Sequence, residues 1–331
     1  MEISCAFAPS LKTPEHVALA EQLGYARAWC FDSPALFSDP WMALARAADR
    51  TTTIGLGPAV LVPSLRHPMV VASCTATLAM QAPGRVTIGI GAGFSARLAI
   101  GQRPMRWADV SAYIVAVRRL LAGEEVEWKG GVMRMLQPPG VAQPRPIDVP
   151  LVVGADGPRG FAVAGQLGDG LFTVVAHEHE GAEHARRILL QAGTVLDERE
   201  DPACARVIAA AGHGVAVVYH AVYEKGGRTA VSELPAGEVW ADAIESTPAE
   251  VRHLAIHEGH LLEPNPHDRV AWRAGAADAL ELLTLSGTRD QVAARLHGYR
   301  EAGFSEVSYQ PAGPEIPREL KAFADAAGLS G

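Results

Sequence analysis

The feature that most constrains the fold is an alternation along the whole chain: a short apolar run, then a longer amphipathic segment, eight times over. The apolar runs fall at residues 3–8, 28–32, 54–60, 86–90, 151–155, 170–175, 206–211 and 306–310. Each has the length of a strand, and many are nearly continuous in hydrophobicity, as strands covered on both faces are. Between them, a segment such as 106–122 sets Trp107, Val110, Ile114, Val117 and Leu121 on one helical face. Strands that alternate with helices predict a parallel sheet, because a crossover must return the chain to the end where it started. Eight such units favour closure into an α/β fold of the (β/α)8 TIM barrel type. A doubly wound open sheet is the alternative that strand counting leaves standing.

Local punctuation supports the helices. Thr13-Pro14 reads as an N-cap followed by a first-turn proline, and Thr247 with Glu250 as a capping box. Thr288 with Gln291 reads as another box, and Gly303 as the stop before the last strand. Two stretches exceed the repeat. Residues 123–148, after the fourth strand, centre on Gly130-Gly131 and read as a hairpin. Residues 226–267, after the seventh strand, read as a lid-like insertion. The chain, 1–331, is thus expected to be one barrel with two insertions.

Composition excludes several classes. Charged residues are 20% of the chain, the net charge is -8 and no long basic run occurs, which argues against nucleic acid as partner. Cys5, Cys30, Cys74 and Cys204 are too scattered for a zinc knuckle or redox pair and read as free thiols of a reducing cytosol. The N-terminus lacks the basic start of a signal peptide. The longest uncharged stretch, 207–223, falls short of the ~20 apolar residues of a spanning helix and is interrupted by Gly212-His213-Gly214. A soluble, cytoplasmic protein with no membrane partner is the expectation.

Three segments, in order, carry a resemblance. The first is Ile54-Gly55-Leu56-Gly57-Pro58-Ala59-Val60-Leu61-Val62-Pro63, followed by Arg66-His67-Pro68. The second is Gly84-Arg85-Val86-Thr87-Ile88-Gly89-Ile90-Gly91-Ala92-Gly93. The third is Val149-Pro150-Leu151-Val152-Val153-Gly154-Ala155-Asp156-Gly157-Pro158, followed by Gly168-Asp169-Gly170. Together with the tail from Ser286 to Pro311 they resemble the luciferase-like monooxygenase family, particularly its branch of coenzyme F-420-dependent reductases and dehydrogenases. The likeness is weakest in 181–201 and 226–267.

The resemblance implies a bacterial-luciferase-like barrel with a flavin or deazaflavin at the C-terminal ends of the strands. It implies a cis peptide at Ala59–Val60, with Val60 behind the cofactor ring, and places Asp32, Val62, Ala92, Gly93, Ser95, Gly154 and Ala155 around the cofactor. The loop of Asp156, Gly157, Pro158 and Arg159 would hold the phosphate, consistent with the free N–H groups of a helix start. Read without the resemblance, that loop is a plain strand-to-helix turn, and Asp32, before Ser33-Pro34, is an Asx turn. Two positions depart from the sugar-phosphate dehydrogenases of the family: Ser33 stands where they have histidine, and Phe94 where they have an acid after the strand-four glycines. Phe94 makes the pocket more apolar.

Other candidates are weaker. His177-Glu178-His179 follows the sixth strand; His177 could line a substrate pocket, and no metal role is expected. His253, His257 and His260 share a helix face without the H-E-x-x-H order, so solvated or rim positions are expected over zinc. His257 and His260 are nevertheless candidate proton donors. His220 reads as core packing. None of the four lysines closes a strand, which disfavours Schiff-base chemistry. The functional expectation is a coenzyme F-420-dependent oxidoreductase acting by hydride transfer on a small-molecule substrate, reducing a C=C or C=N bond. An FMN-dependent monooxygenase and a non-catalytic flavin-binding barrel are the alternatives. Members of the family are often dimers, so a homodimer is expected.

Overall fold

A computed structural model describes residues 1–138, 140–176 and 184–329. Eight strands form one sheet: β1 (Glu2–Phe7), β2 (Arg27–Cys30), β3 (Gly55–Pro58), β4 (Ile88–Gly91), β5 (Leu151–Gly154), β6 (Gly170–Thr173), β7 (Arg187–Ala192) and β8 (Glu306–Gln310). Their spatial order is β3-β2-β1-β8-β7-β6-β5-β4, every ladder parallel. The ring closes between β3 and β4 through the parallel bridges Leu56–Val86 and Leu61–Ile90. There Leu61 N donates to Gly89 O at 2.7 Å and Gly91 N to Leu61 O at 3.0 Å. The architecture is therefore a (β/α)8 barrel.

The helices are α1 (Thr13–Gln22), α2 (Pro40–Ala48), α3 (Pro68–Gln81), α4 (Phe94–Leu98), α5 (Trp107–Ala122), α6 (Pro158–Leu167), α7 (Ala205–Val231), α8 (Gly237–Glu245), α9 (Arg252–His257), α10 (Pro266–Arg273), α11 (Leu280–Leu283), α12 (Arg289–Glu301) and α13 (Ile316–Ala326). Their apolar stripes pack on the outer faces of the strands in one large core that includes Leu56, Ile90, Val117, Val153 and Phe323. Inside the barrel a second cluster, with Ala6, Trp29, Val152, Phe172 and Ile188, fills the lumen. Trp29 Nε1 donates to Glu306 Oε1 at 2.9 Å, and Arg186 donates to the other carboxylate oxygen at 3.3 Å, so the Glu306 carboxylate at this depth is paired.

Several expectations are corrected. The seventh strand is not 206–211; those residues lie in α7, and β7 is Arg187–Ala192. A short apolar run cannot be told from a buried helix turn by periodicity, and the three alanines of 206–211 favour helix. The true strand hid behind its opening arginine, which is buried. Gly212-His213-Gly214 is no break. The helix runs through it and kinks at Gly227, with φ 65° and ψ -161°. Gly212 and Gly214 serve close packing: a Cβ there would lie 2.8 Å from Pro264 Cγ and 2.9 Å from Ala192 Cβ. At 27 residues α7 is, by length and composition, the one helix among the described residues long and apolar enough to cross a membrane, and 56% of its apolar window is buried within the protein. Thr13 is the first helical residue and not the cap; its Oγ1 accepts from Ser10 N at 2.8 Å. Thr247 starts no helix, because α9 begins only at Arg252 and that arginine donates to the Thr247 carbonyl. The box at Thr288 and Gln291 is formed, and Gly303 follows α12 with φ 83°.

Beyond the fourth strand, Val126–Trp128 and Gly131–Met133 pair as an antiparallel hairpin, with Lys129 and Gly130 at positive φ in its turn. Trp128 packs edge-on against Tyr113 on α5. Between β7 and α12 the chain builds a helical unit, α7 to α11, around its own core of Val207, Tyr219, Trp240, Ile244, Ile256 and Trp272.

Candidate active site

The strand ends at the barrel mouth are shaped around two valines. Ala59–Val60 is a cis peptide. The Val60 side chain occupies space that Cβ atoms on β4 and β5 would fill: one at Gly91 would lie 2.9 Å from Val60 Cγ2, and one at Gly154 2.5 Å from Val60 Cγ1. Gly93, at φ 79°, leaves the same kind of room for Val62, whose Cγ1 a Cβ would meet at 2.5 Å. Val60 is half-buried, and Val62 and Ala59 are buried. The result is an apolar shelf set between glycines, next to the half-buried Ala92 and the buried Ala155.

Asp32, at the end of β2, is 2% exposed and grips Arg66 through two hydrogen bonds, Nε to Oδ2 at 3.2 Å and Nη2 to Oδ1 at 2.8 Å. Arg66 Nη2 also reaches Asp39 Oδ2 at 2.9 Å, while Asp39 caps α2 with its other oxygen. Burial alone would lower the Arg66 guanidinium. The hydrogen bonds and charges of Asp32 and Asp39 outweigh it and hold the group above its usual value. The Asp32 carboxylate is thus committed to a bracing network. Asp156 is similar: its Oδ1 accepts from Thr173 Oγ1, from Val174 N at 2.8 Å and from Val175 N at 3.1 Å, tying the ends of β5 and β6 together. Gly157 caps α6 with Pro158 in the first turn, and a Cβ at Gly157 would meet nothing within 4 Å. Arg159 beside it is exposed.

On the opposite rim the helical unit meets the barrel. Leu261, at φ 66°, packs against the same lumen cluster as Val60, and its carbonyl accepts from Gln310 Nε2 at 2.8 Å at the end of β8. Leu262 lines a groove of about 450 Å³ with Pro9 from the loop after β1 and Pro34, Leu36 and Phe37 from the loop after β2. Next to Leu261, His260 Nε2 lies 2.8 Å from Ser95 Oγ at the start of α4. His260 Nδ1 is 2.8 Å from His220 Nδ1, and His220 Nε2 is 3.0 Å from Asp268 Oδ1. Burial, then the neighbouring His220, His257 and His213, push His260 well below the usual histidine range. His257 is lowered to about 4, chiefly by burial, although its bond to the His253 carbonyl at 2.9 Å works the other way. These histidines are buried and not solvated as expected, because α7, α9 and α10 converge on them. Among the described residues no group of three or more His, Cys, Asp or Glu is arranged to hold a metal ion.

The structure therefore gathers Ala59, Val60, Val62, Ala92, Gly93, Ser95, Gly154, Ala155 and His260 about one mouth. It commits Asp32 and Asp156 to bracing contacts. Phe94 sits on the rim with Lys225 Nζ 5.9 Å from its ring centre. His177 and His179 lie outside the described residues. Sequence reasoning missed Arg66 as the partner of Asp32, and His220 and Asp268 as partners of His260. The available signal was Asn265-Pro266 with Asp268, which forms a capping box that buries the carboxylate.

The Luciferase-like monooxygenase family model matches residues 11–306. An F-420-dependent glucose-6-phosphate dehydrogenase of Beutenbergia cavernae is 36% identical over 172 residues, 47% of this chain and 50% of the relative. A 5,10-methylenetetrahydromethanopterin reductase of Archaeoglobus fulgidus is 25% identical over 97% of each chain. The chain spans about half the length or less of the first curated relatives it matches. Among solved structures, the coenzyme F-420-dependent tetrahydromethanopterin reductase of Methanopyrus kandleri superposes with a TM-score of 0.66 at 20% identity, covering 100% of both chains. With a family model matched over nearly the whole barrel, the chain belongs to the luciferase-like monooxygenase family.

Proposed function

We propose that the chain is a coenzyme F-420-dependent oxidoreductase that transfers hydride to or from a small organic substrate. The observation that carries this reading is the Val60 shelf: a half-buried apolar side chain seated between Gly91 and Gly154 at the barrel mouth. A planar ring needs such a flat, water-free back wall, and the missing Cβ atoms supply the clearance. The residues present fit the group. The shelf would take the ring face, and the open space at Gly157, with the helix start of α6 and Arg159, would take an anionic tail. Likeness to F-420-dependent dehydrogenases and reductases supports the choice of a deazaflavin.

When bound, coenzyme F-420 supplies a ring carbon that gives or accepts hydride. The chain's own part is to hold that ring against Val60, to keep Asp32–Arg66–Asp39 rigid beneath it, and to exclude water. Leu262 lines one side of the groove and Leu261 packs on the lumen cluster, so the helical segment 226–267 serves as a lid. The groove mixes the side chains of Pro9, Pro34, Leu36, Phe37 and Leu262 with Ser10, Ser38 and exposed polar atoms, which suits a small organic substrate that carries a polar group beside a reducible C=C, C=N or related bond. The reading places the protein in the cytoplasm, as a homodimer. Titration of the purified chain with coenzyme F-420 and, separately, FMN tests it by absorbance and fluorescence. Saturable binding of the deazaflavin is expected, with no oxygen uptake beyond the autoxidation of free reduced FMN. Binding of FMN alone would overturn it in favour of a monooxygenase.

A further inference from the structure

With Asp268 as the acceptor at its end, the Ser95–His260–His220–Asp268 chain has one self-consistent arrangement of protons. Asp268 receives two N–H groups, Trp240 Nε1 at 2.8 Å on Oδ1 and Asn265 N at 2.9 Å on Oδ2, and its Oδ1 faces His220 Nε2 at 3.0 Å. With both Asp268 oxygens taken as acceptors, His220 carries its hydrogen on Nε2 and presents a lone pair at Nδ1. The facing His260 Nδ1 must then donate, which leaves His260 Nε2 as an acceptor. The partner of that nitrogen is the Ser95 hydroxyl, which donates to it. Three members of the chain are buried, while Ser95 is half-buried beside the Gly91-Ala92-Gly93 strand end.

We propose that Ser95 exchanges a proton with the heteroatom of the substrate, and that His260, His220 and Asp268 carry that proton away and return it. The inference rests on the hydride-transfer reading. In the oxidising direction an O–H or N–H bond of the substrate breaks and its proton goes to Ser95 Oγ. The Ser95 hydrogen passes to His260 Nε2, the His260 Nδ1 hydrogen to His220 Nδ1, and the His220 Nε2 hydrogen to Asp268. The adjacent C–H bond gives its hydrogen and electron pair to the bound cofactor, and C=O or C=N forms. One proton and one hydride have left the substrate, and both rings end neutral with exchanged tautomers. Reduction is the reverse, with the protonated Asp268 as the reservoir. Neutral rings matter because burial and the facing His220, His257 and His213 disfavour an imidazolium at His260. His257 is a poorer candidate, since its Nδ1 is spent on the His253 carbonyl and its ring is buried behind His260. Ser95 thereby supplies the polar function that the neighbouring Phe94 cannot.

The order of protons is testable without cofactor or substrate. Long-range 1H–15N spectra of the full chain labelled at histidine nitrogen are expected to show His220 protonated at Nε2 and His260 at Nδ1. Ser95→Ala should leave both tautomers in place and move only the His260 Nε2 shift. A His260 ring protonated at Nε2 overturns the relay, because it could not take the Ser95 proton. In the loaded enzyme, with propan-2-ol and short aliphatic amines as probes, Ser95→Ala should slow cofactor reduction by about 10²-fold or more. The loss should appear in the reduction rate at saturating cofactor, and Ser95→Thr should restore part of that rate. A wild-type rate in Ser95→Ala overturns the proposal, and if no probe turns over the NMR result decides. Absence of deazaflavin binding would instead refute the oxidoreductase reading while leaving the proton order intact.

Discussion

The Val60 shelf makes a prediction whose size follows from the geometry. In Gly154→Ala the new methyl would stand 2.5 Å from Val60 Cγ1 and 3.3 Å from its Cβ and Cγ2. Ordinary contact begins near 3.4 Å, so Val60 must retreat by about 0.9 Å. The Gly154 backbone is not in the left-handed region, so alanine is tolerated there and the clash is the only cost. Overpacking of this kind costs about 1–3 kcal/mol. Urea unfolding of Gly154→Ala should show that loss, and deazaflavin affinity should fall because the shelf has moved. Val60→Ala removes the offending methyls, so the double variant should be no less stable than Val60→Ala alone. A coupling energy of at least about 1 kcal/mol in the cycle is expected. Additive energies, or Gly154→Ala binding cofactor as the parent does, would refute the claim that these strand ends are glycine to seat Val60.

Arg66→Met leaves the buried Asp32 without its cation, and unfolding experiments should show a loss of about 3–5 kcal/mol, while Asp32→Asn with Arg66→Met should recover part of it. His213 is buried neutral and pushed down to about 4 by desolvation. The unfolded chain binds its proton below about pH 6.5 and the folded one does not, so stability falls as pH drops from about 6.5 towards 4; His213→Met should flatten that limb by up to roughly 3 kcal/mol. Burial raises the Cys30 thiol to about 12 and lifts Cys5 well above the usual range, so native protein should leave both unlabelled by a thiolate-directed reagent and release them only in denaturant.

Much of the fold was legible because it is written in local terms. Seven of the eight strands lie at or within two or three residues of their apolar runs, and the Thr288 box and Gly303 stop behave as their chemistry dictates. The seventh strand was not, since its buried Arg187 reads as surface and the alanine-rich start of α7 reads as strand. At the site, residues contiguous with strand ends, such as Val60, Gly93 and Gly154, could be named from motifs. The relay could not. Ser95, His220, His260 and Asp268 are brought together only by the packing of α7 and α10 over the mouth, and no spacing records that contact. Arg66 escaped for the same reason: a bidentate partner 34 residues from Asp32 is a tertiary fact.

The barrel and the separately cored helical unit are bridged at the molecule's most reactive point. Ser95 rides on the barrel, whereas His260, His220 and Asp268 ride on the separately cored helices. A rigid shift of that unit by a single bond length would sever Ser95 from His260 and leave the His260–His220–Asp268 links intact. Serine chemistry is thus armed by assembly: the hydroxyl is ordinary when the two bodies part and primed when they dock.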